Sequence, residues 1–406
     1  MKTLVTAILL IALMGCKPTE NARELSGSYL VQLDISPDII PFFLSLKATD
    51  AGYKAEVYNA EETLVYEDVI VASDSIWIDM STFDAQLKGK IMDDGTIQGV
   101  FVKNYVEGYA IPFSTVQNAD SRFVVNEAPE IDLSGNWRTS FDDEKGGYEA
   151  VGIFQQSGNK LTGTFLTKLG DYRYLEGNVS GRKFYLSAFD GSHAFLFFGE
   201  LQEDGQLVGT FRSGPKYRES FKAELDPDFA LPDAYSLTFL KEGYEKLEFS
   251  FPDINGNAVS LADPKYNGKV VLVQLFGTWC PNCMDETKFL APWYEQNKDK
   301  GIEIIGLAYE SKPDFEYASG RVRKNAERLG AKYTFLIAGV SNKAKAAETL
   351  PALNQVLAFP TLIYIDKKGK VRNIHTGFTG PGTGGHYHKW VEEHEALVQQ
   401  LLSEEV

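Results

Sequence analysis

Cysteine is scarce in this chain: 406 residues contain three, Cys16, Cys280 and Cys283. So few cannot build a disulfide-stapled scaffold, which needs several bridges. Only five histidines occur, and no second Cys-x-x-Cys or suitably spaced His pair completes the four ligands of a zinc site. His386, His388 and His394 lie close in sequence, but their spacing does not bring all three to one helix face. They read as a polar loop and helix surface, and no metal is expected. No run of Lys and Arg stands out against a formal charge of −16 and a pI near 4.9, which excludes nucleic acid as an expected partner. No apolar run reaches the roughly 20 residues that a membrane-crossing helix needs. What is present is ordinary for globular protein, 44% hydrophobic and 24% charged residues, in a chain long enough for two or three domains.

The N-terminus pairs Lys2 with a short apolar stretch from Leu4 to Met14, the pattern of a secretion signal. Its end, Leu13-Met14-Gly15-Cys16, resembles the bacterial lipobox. That resemblance implies cleavage before Cys16, lipid on the new N-terminal Cys16, and a stable hold on a membrane once two or more acyl chains are attached. Residues 1–15 are then the signal peptide and 16–24 a tether. Lys17, rather than Asp, after the cysteine resembles lipoproteins of the periplasm-facing outer membrane, so a bacterial cell-envelope location is expected. With Cys16 carrying lipid, Cys280 and Cys283 remain, three positions apart. A structural bridge across Cys-x-x-Cys closes too small a loop to stabilise much. Redox chemistry is what is left, with the Cys280–Cys283 disulfide as the redox group and no other cofactor.

Residues 25–226 read as antiparallel β structure built from an internal repeat, 25–120 and 130–226. Leu25-Ser26-Gly27-Ser28-Tyr29 returns as Leu133-Ser134-Gly135-Asn136-Trp137, and the Asp94-Gly95 stretch ending at Phe101 returns as the Asp204-Gly205 stretch ending at Phe211. Short alternating segments such as Ser75 to Asp79 and Lys183 to Ser187 are split by turn residues, the pattern of hairpins. Each copy is expected to be a small barrel or sandwich, or both together one larger double β domain. No polar constellation in this region marks a site.

A linker, 227–244, leads to residues 245–406, where strands alternate with helices as in an α/β domain with a mainly parallel sheet. The expected elements are a buried strand Val270 to Phe276, a helix Cys280 to Lys298 and a strand Ile302 to Ala308. They continue with a helix Pro313 to Leu329, a strand Tyr333 to Ile337 and a helix Asn342 to Gln355. A hairpin of Thr361 to Ile365 with Val371 to His375 and a helix Trp390 to Leu402 complete the domain. Gly377 to Gly385 is Gly-rich, but no Gly-Lys-Ser/Thr follows it, so it reads as a connector. The motif Trp279-Cys280-Pro281-Asn282-Cys283 falls where strand gives way to helix. Unpaired N–H groups at a helix start favour a thiolate on Cys280, and Pro281 suits the first turn. Cys283, one turn on, is within reach of a mixed disulfide at Cys280. Cys280 is therefore the candidate nucleophile and Cys283 the resolving thiol.

Val271 to Phe276 running into Trp279-Cys280-Pro281-Asn282-Cys283, with Phe359-Pro360-Thr361 later and Phe251-Pro252-Asp253-Ile254-Asn255-Gly256 before, resembles the TlpA/ResA-like branch of the thioredoxin superfamily. The resemblance covers about Leu247 to Val406. It implies a central sheet flanked by helices, and reduction or exchange of disulfides in envelope proteins, with electrons from a transmembrane thiol transporter. It also implies a cis Pro360 facing the cysteines, with Phe359 presenting its backbone to substrate. Gln274 stands where thioredoxins carry a buried Asp. Glu286, three residues past Cys283, then either controls cysteine protonation, as in ResA-like members, or is a solvated helix glutamate. Asp285 reads as a first-turn charge, and Trp279 as a shield for the thiols or as packing. Two other functions compete: a peroxiredoxin-like peroxidase, whose Pro-x-x-x-Thr-x-x-Cys signature is absent, and a binding lipoprotein in which the β region carries the main role.

Overall fold

The structure is a computed structural model that describes residues 25–142 and 146–405; the expected signal peptide, Cys16 and the tether lie outside the described residues. Eight antiparallel strands, β1 (Gly27–Ile35), β2 (Asp38–Thr49), β3 (Gly52–Asn59), β4 (Glu62–Ala72), β5 (Ser75–Met80), β6 (Ala85–Ile91), β7 (Ile97–Lys103) and β8 (Ala110–Gln117), close on themselves where β8 pairs with β1. A second set follows: β9 (Gly135–Asp142), β10 (Tyr148–Ser157), β11 (Lys160–Thr167), the two-residue β12 (Gly170–Asp171), β13 (Leu175–Ser180), β14 (Lys183–Phe189), β15 (Ala194–Leu201), β16 (Leu207–Ser213) and β17 (Tyr217–Leu225). It also closes, because β10 pairs with both β9 and β11. The β region is thus two eight-stranded barrels, which settles the choice between barrel, sandwich and a single double domain. Side chains alternate inward and outward along the strands: Trp137, Thr139 and Phe141 point inward from β9.

The repeat extends to individual hydrogen bonds. Tyr29 Oη donates to the Leu25 carbonyl at 3.0 Å, and Trp137 Nε1 donates to the Leu133 carbonyl at 2.9 Å. Gly95 and Gly205 turn the chain into the seventh strand of their barrels with φ of +84° and +85°, a region that glycine enters without steric cost. One strand departs from the pattern. The counterpart of β4 is split into β12 and β13, and Arg173, at φ +59°, occupies the break.

The C-terminal domain begins with a small hairpin, β18 (Ser250–Pro252) and β19 (Ala258–Ser260), ahead of β20 (Val270–Phe276), α1 (Pro281–Asn297), β21 (Ile302–Glu310), α2 (Phe315–Leu329) and β22 (Thr334–Val340). It continues through α3 (Lys343–Thr349), β23 (Thr361–Ile365), β24 (Val371–Thr376) and α4 (Gly385–Ser403). Its sheet runs β22-β21-β20-β23-β24, with β22, β21 and β20 parallel and β23 antiparallel to both of its neighbours, β20 and β24. Central β20 is buried on both faces. Leu272 and Phe276 pack toward α1, α2 and α4, while Val271, Val273 and Leu275 pack toward α3. The α3 helix ends at Thr349, short of the Gln355 expected, because Pro351 disfavours helical backbone in the residue before it. Residues 227–244 lie along the domain: Leu240 bridges Leu353, and Thr376 Oγ1 donates to Thr238 Oγ1 at 2.7 Å.

The three units cap one another in series. Phe189, the last residue of β14, enters the core of the first barrel, stacked on Phe42 at 4.1 Å between centroids and edge-on to Phe101 at 4.9 Å. Asn59 exchanges two hydrogen bonds with the Phe189 backbone. In the first barrel the turn after β5, the strand matching β14, sends Phe83 into the core of the C-terminal domain. There Arg321 of α2 donates to the carbonyls of Ser81 and Thr82 and to Thr278 Oγ1.

Arg173 joins all three units. Its Nε donates to Asp285 Oδ2 at 2.7 Å and its Nη1 to Asp190 Oδ2 at 3.0 Å, while Nη2 is paired with Glu62. Arg173, Asp190 and Asp285 are buried and Glu62 is mostly so. Burial alone would lower the guanidinium pKa, but Asp285, Glu62 and Asp190 outweigh it and hold it well above its ordinary value. Removing one partner of a buried ionic set costs about 3–5 kcal/mol, because the others stay desolvated. Arg173→Met is therefore expected to lower the first thermal transition by about 10 °C and to increase cleavage between the units in limited proteolysis. An unchanged melting profile would show that the cluster does not hold them together.

Candidate functional site

Cys280 is the residue before the first turn of α1, just past the end of β20. The Cys283 backbone N–H points at Cys280 Sγ at 3.2 Å, and Pro281 occupies the first turn. The two cysteines are disulfide-bonded with their Cα atoms 5.3 Å apart. They differ in access: Cys280 is 6% exposed and Cys283 fully buried. Once reduced, Cys280 would carry its negative charge against the N–H groups and positive end of α1, an arrangement that favours the thiolate.

The Phe359–Pro360 peptide is cis, and the Phe359 carbonyl oxygen lies 3.4 Å from Cys280 Sγ. Pro360 is buried, while Phe359 is partly exposed beside the sulfur. Trp279 donates from Nε1 to the Tyr309 carbonyl at 2.8 Å and meets the Phe359 ring edge-on at 5.8 Å. Its indole is therefore both packed and part of the cleft wall.

Glu286 is fully buried on the inner side of α1, not solvated. Gln274 Nε2 donates to Glu286 Oε2 at 2.8 Å, while Oε1 has no hydrogen-bond partner among the described residues. Burial pushes the Glu286 carboxyl up to about 8, the hydrogen bond from Gln274 offsetting only part of that rise. A group titrating there can hold or release a proton near neutral pH.

Two expectations are corrected. Asp285 is not a simple first-turn charge: it is buried on Arg173, and although burial works to raise its carboxyl, Arg173 and Lys288 leave it below the ordinary range. His394 is not on a helix surface. It is fully buried, with Nδ1 2.9 Å from Tyr364 Oη and the Trp293 ring at 4.7 Å.

The β region, which showed no site in sequence, forms one side of the active-site cleft. Asn282 Nδ2 donates to the Asp171 carbonyl at 3.0 Å, the Asp171 carboxylate accepts from the Gly380 N–H, and Ser192 Oγ donates to the Trp279 carbonyl at 3.1 Å. Gly170 lies so close to Asn282 that a Cβ would come within 3.0 Å of Nδ2. Above Cys280 opens a cleft of about 650 Å³ with Trp279 and Phe359 on one wall and Tyr172, Phe195, Phe211 and Tyr217 of the second barrel on the other. Asp171, Arg173 and these aromatics were missed by sequence reasoning. The signal available was the place where the second repeat breaks the strand that the first keeps whole.

Residues 241–384 match the Redoxin family model. Thiol-disulfide oxidoreductase ResA of Geobacillus kaustophilus is 32% identical over 130 residues, which are 32% of this chain and 66% of that protein. Thioredoxin-like protein YneN of Bacillus subtilis is 27% identical over 138 residues, 34% of this chain and 73% of that protein. Among solved structures, a putative thiol:disulfide interchange protein DsbE from Chlorobium tepidum is 22% identical and covers 39% of this chain and 99% of its own, with a TM-score of 0.31. The chain therefore spans just under two thirds of the ResA relative it matches. With a Redoxin match over a sheet flanked by helices, a Cys-Pro-Asn-Cys motif at the start of α1 and a cis Pro360 beside it, the C-terminal domain of this chain is similar to thioredoxin-fold proteins of the TlpA/ResA-like kind.

Proposed function

We propose that the protein is a thiol–disulfide oxidoreductase that reduces or exchanges disulfides of other bacterial envelope proteins, held to the membrane by lipid on Cys16. The observation that carries this reading is the asymmetry of the pair: Cys280 at the floor of an open cleft, and Cys283 sealed behind it at bonding distance. In the reduced protein the Cys280 thiolate attacks one sulfur of the substrate disulfide. A mixed disulfide forms and the other substrate sulfur leaves as thiolate. Cys283 then loses its proton and attacks Cys280 Sγ, which releases the second substrate thiolate and closes the Cys280–Cys283 bond. The substrate gains two electrons and two protons, and the protein pair loses them. A transmembrane thiol transporter would return the electrons. Trp279 and Phe359 flank the incoming sulfur, and Glu286 is the proton-holding group behind Cys283.

Cys283→Ala is expected to accumulate Cys280-linked partners, seen as thiol-sensitive bands on non-reducing gels of the intact envelope. Cys280→Ser should give none and should bring insulin reduction down to the uncatalysed rate. Absence of adducts from Cys283→Ala in an oxidising envelope would sink the reading.

Glu286 makes a separate prediction for the oxidised protein. Its folded pKa, about 8, lies above the ordinary 4.5, so between those values the native state holds a proton that the unfolded state has released. Each pH unit across that window then lowers stability by about 1.4 kcal/mol from this group alone, and the loss ends above pH 8. Glu286→Gln should flatten this slope relative to the parent in denaturant titrations from pH 5 to 8. Parallel curves would place the proton elsewhere.

A further inference from the structure

We infer that the second barrel is a substrate-selecting element of the redox site, whose mouth receives an aromatic side chain next to the cysteine of an extended peptide segment. This rests on the proposed oxidoreductase reading and narrows its substrate class. Two independent observations carry it, one from the shape of the approach to Cys280 and one from the internal repeat.

The first is access. Cys280 is reached through a cleft bounded on one side by the second barrel, whose short β12 packs onto Asn282 and whose Ser192 is bonded to the Trp279 carbonyl. These contacts hold the second barrel beside the sulfur. The space, about 650 Å³, falls in the roughly 300–1,000 Å³ range of sites that enclose a compact ligand. The second barrel narrows the approach to the sulfur on one side, a shape that an extended segment a few residues long can enter.

The second observation is what the first barrel does with the same position. Phe101 ends the repeated Asp-Gly stretch of the first barrel, and Phe211 ends that of the second. In the first barrel a phenyl ring from outside, Phe189, is seated edge-on against Phe101 and stacked on Phe42. In the second barrel Phe211 is buried and stacked on Phe197 at 4.2 Å, and it backs the cleft wall, where Tyr172 meets it edge-on at 5.1 Å and Tyr217 at 6.0 Å, the Tyr217 ring being the exposed one. Tyr148 links Tyr172 to Glu219 through hydrogen bonds of 2.6 Å each, and Tyr217 bonds the same carboxylate at 3.0 Å, so the aromatic wall is held in place. A wall of rings with positioned edges and faces favours an aromatic partner, as the first barrel shows with a residue of this chain. The cysteine would then lie at the Phe359 carbonyl with the aromatic residue one or two positions away, under the barrel.

The test uses the full chain, reduced beforehand with dithiothreitol and freed of it, and follows the loss of its thiols in stopped flow. Three oxidants are compared: hydroxyethyl disulfide, and the blocked pentapeptides Ser-Phe-Cys-Phe-Ser and Ser-Gly-Cys-Gly-Ser, each as a mixed disulfide with 2-mercaptoethanol. In every case the oxidant receives two electrons from the Cys280–Cys283 pair and leaves as thiols. The aromatic peptide is expected to react about tenfold faster or more than the glycine peptide, the gain from burying one ring. Phe211→Ala should bring that ratio toward one. Because Phe211 is in the barrel core, Tyr217→Ala, at a side chain 43% exposed, gives a second reading less exposed to misfolding and should at least halve the ratio. Equal rates for the two peptides, with brisk reaction of hydroxyethyl disulfide, would overturn the inference and leave the redox reading standing. Failure of all three oxidants to react would overturn both.

Discussion

The arrangement depends on one guanidinium. Arg173 leaves the second barrel where a strand is broken and meets a carboxylate from the first barrel, one from its own barrel and one from the helix that carries the cysteines. Desolvating a cation is unfavourable unless close opposite charges replace the water. Here three do, and each comes from a different unit or element. Such a set is poor at adding raw stability but good at fixing geometry, because any one unit that moves away strands the others' charges in a low-dielectric interior. Asp285 lies two residues past Cys283, so the geometry being fixed is that of the redox helix against both barrels.

The repeat explains how a duplicated fold came to serve a third unit. The same end of each barrel, where the fifth strand runs into its turn, carries a phenylalanine into a neighbour, Phe83 into the C-terminal domain and Phe189 into the first barrel. Each barrel therefore spends the same end on a different partner. What differs is the other end of the chain of contacts. The first barrel receives a ring from the second, while the second faces the disulfide with a lined cleft. A β-barrel of this size fills its interior with side chains, and function is left to its mouth.

Much of this was legible in the sequence, for identifiable reasons. The strand β20 and the helix after it announce themselves because a fully buried strand is a continuous apolar run and because Pro281 and a pair of cysteines one turn apart mark a helix start. The duplication was visible because Asp-Gly turns and the aromatic after Leu-Ser-Gly recur at a nearly constant interval. Closure into barrels was not, since the pairing of β8 with β1 or of β10 with β11 leaves no trace in local patterning. Asp285 and His394 were misjudged for different reasons. Asp285 lies on a face of α1 that the second barrel covers, which helical period does not reveal, whereas His394 falls on the inner stripe of α4 with Trp390, Val398 and Leu401 and was misjudged because a histidine was read as polar surface.

Enclosure also changes how the site can discriminate. An open thioredoxin-type surface selects by the backbone it pairs with, which nearly all extended segments can offer. A roofed one adds a side-chain pocket, and burying a ring is worth about 1.5–3 kcal/mol, enough to separate substrates by one to two powers of ten. Preorganisation determines how much of that is realised: the tyrosine–glutamate network and the packed β11–β12 turn are already in place, so little ordering is needed when a segment enters. The buried charges that lock the barrels onto α1 and the aromatic wall over Cys280 are thus parts of one device. Rigid placement of the barrel is what allows its mouth to act on a reaction that occurs on another domain.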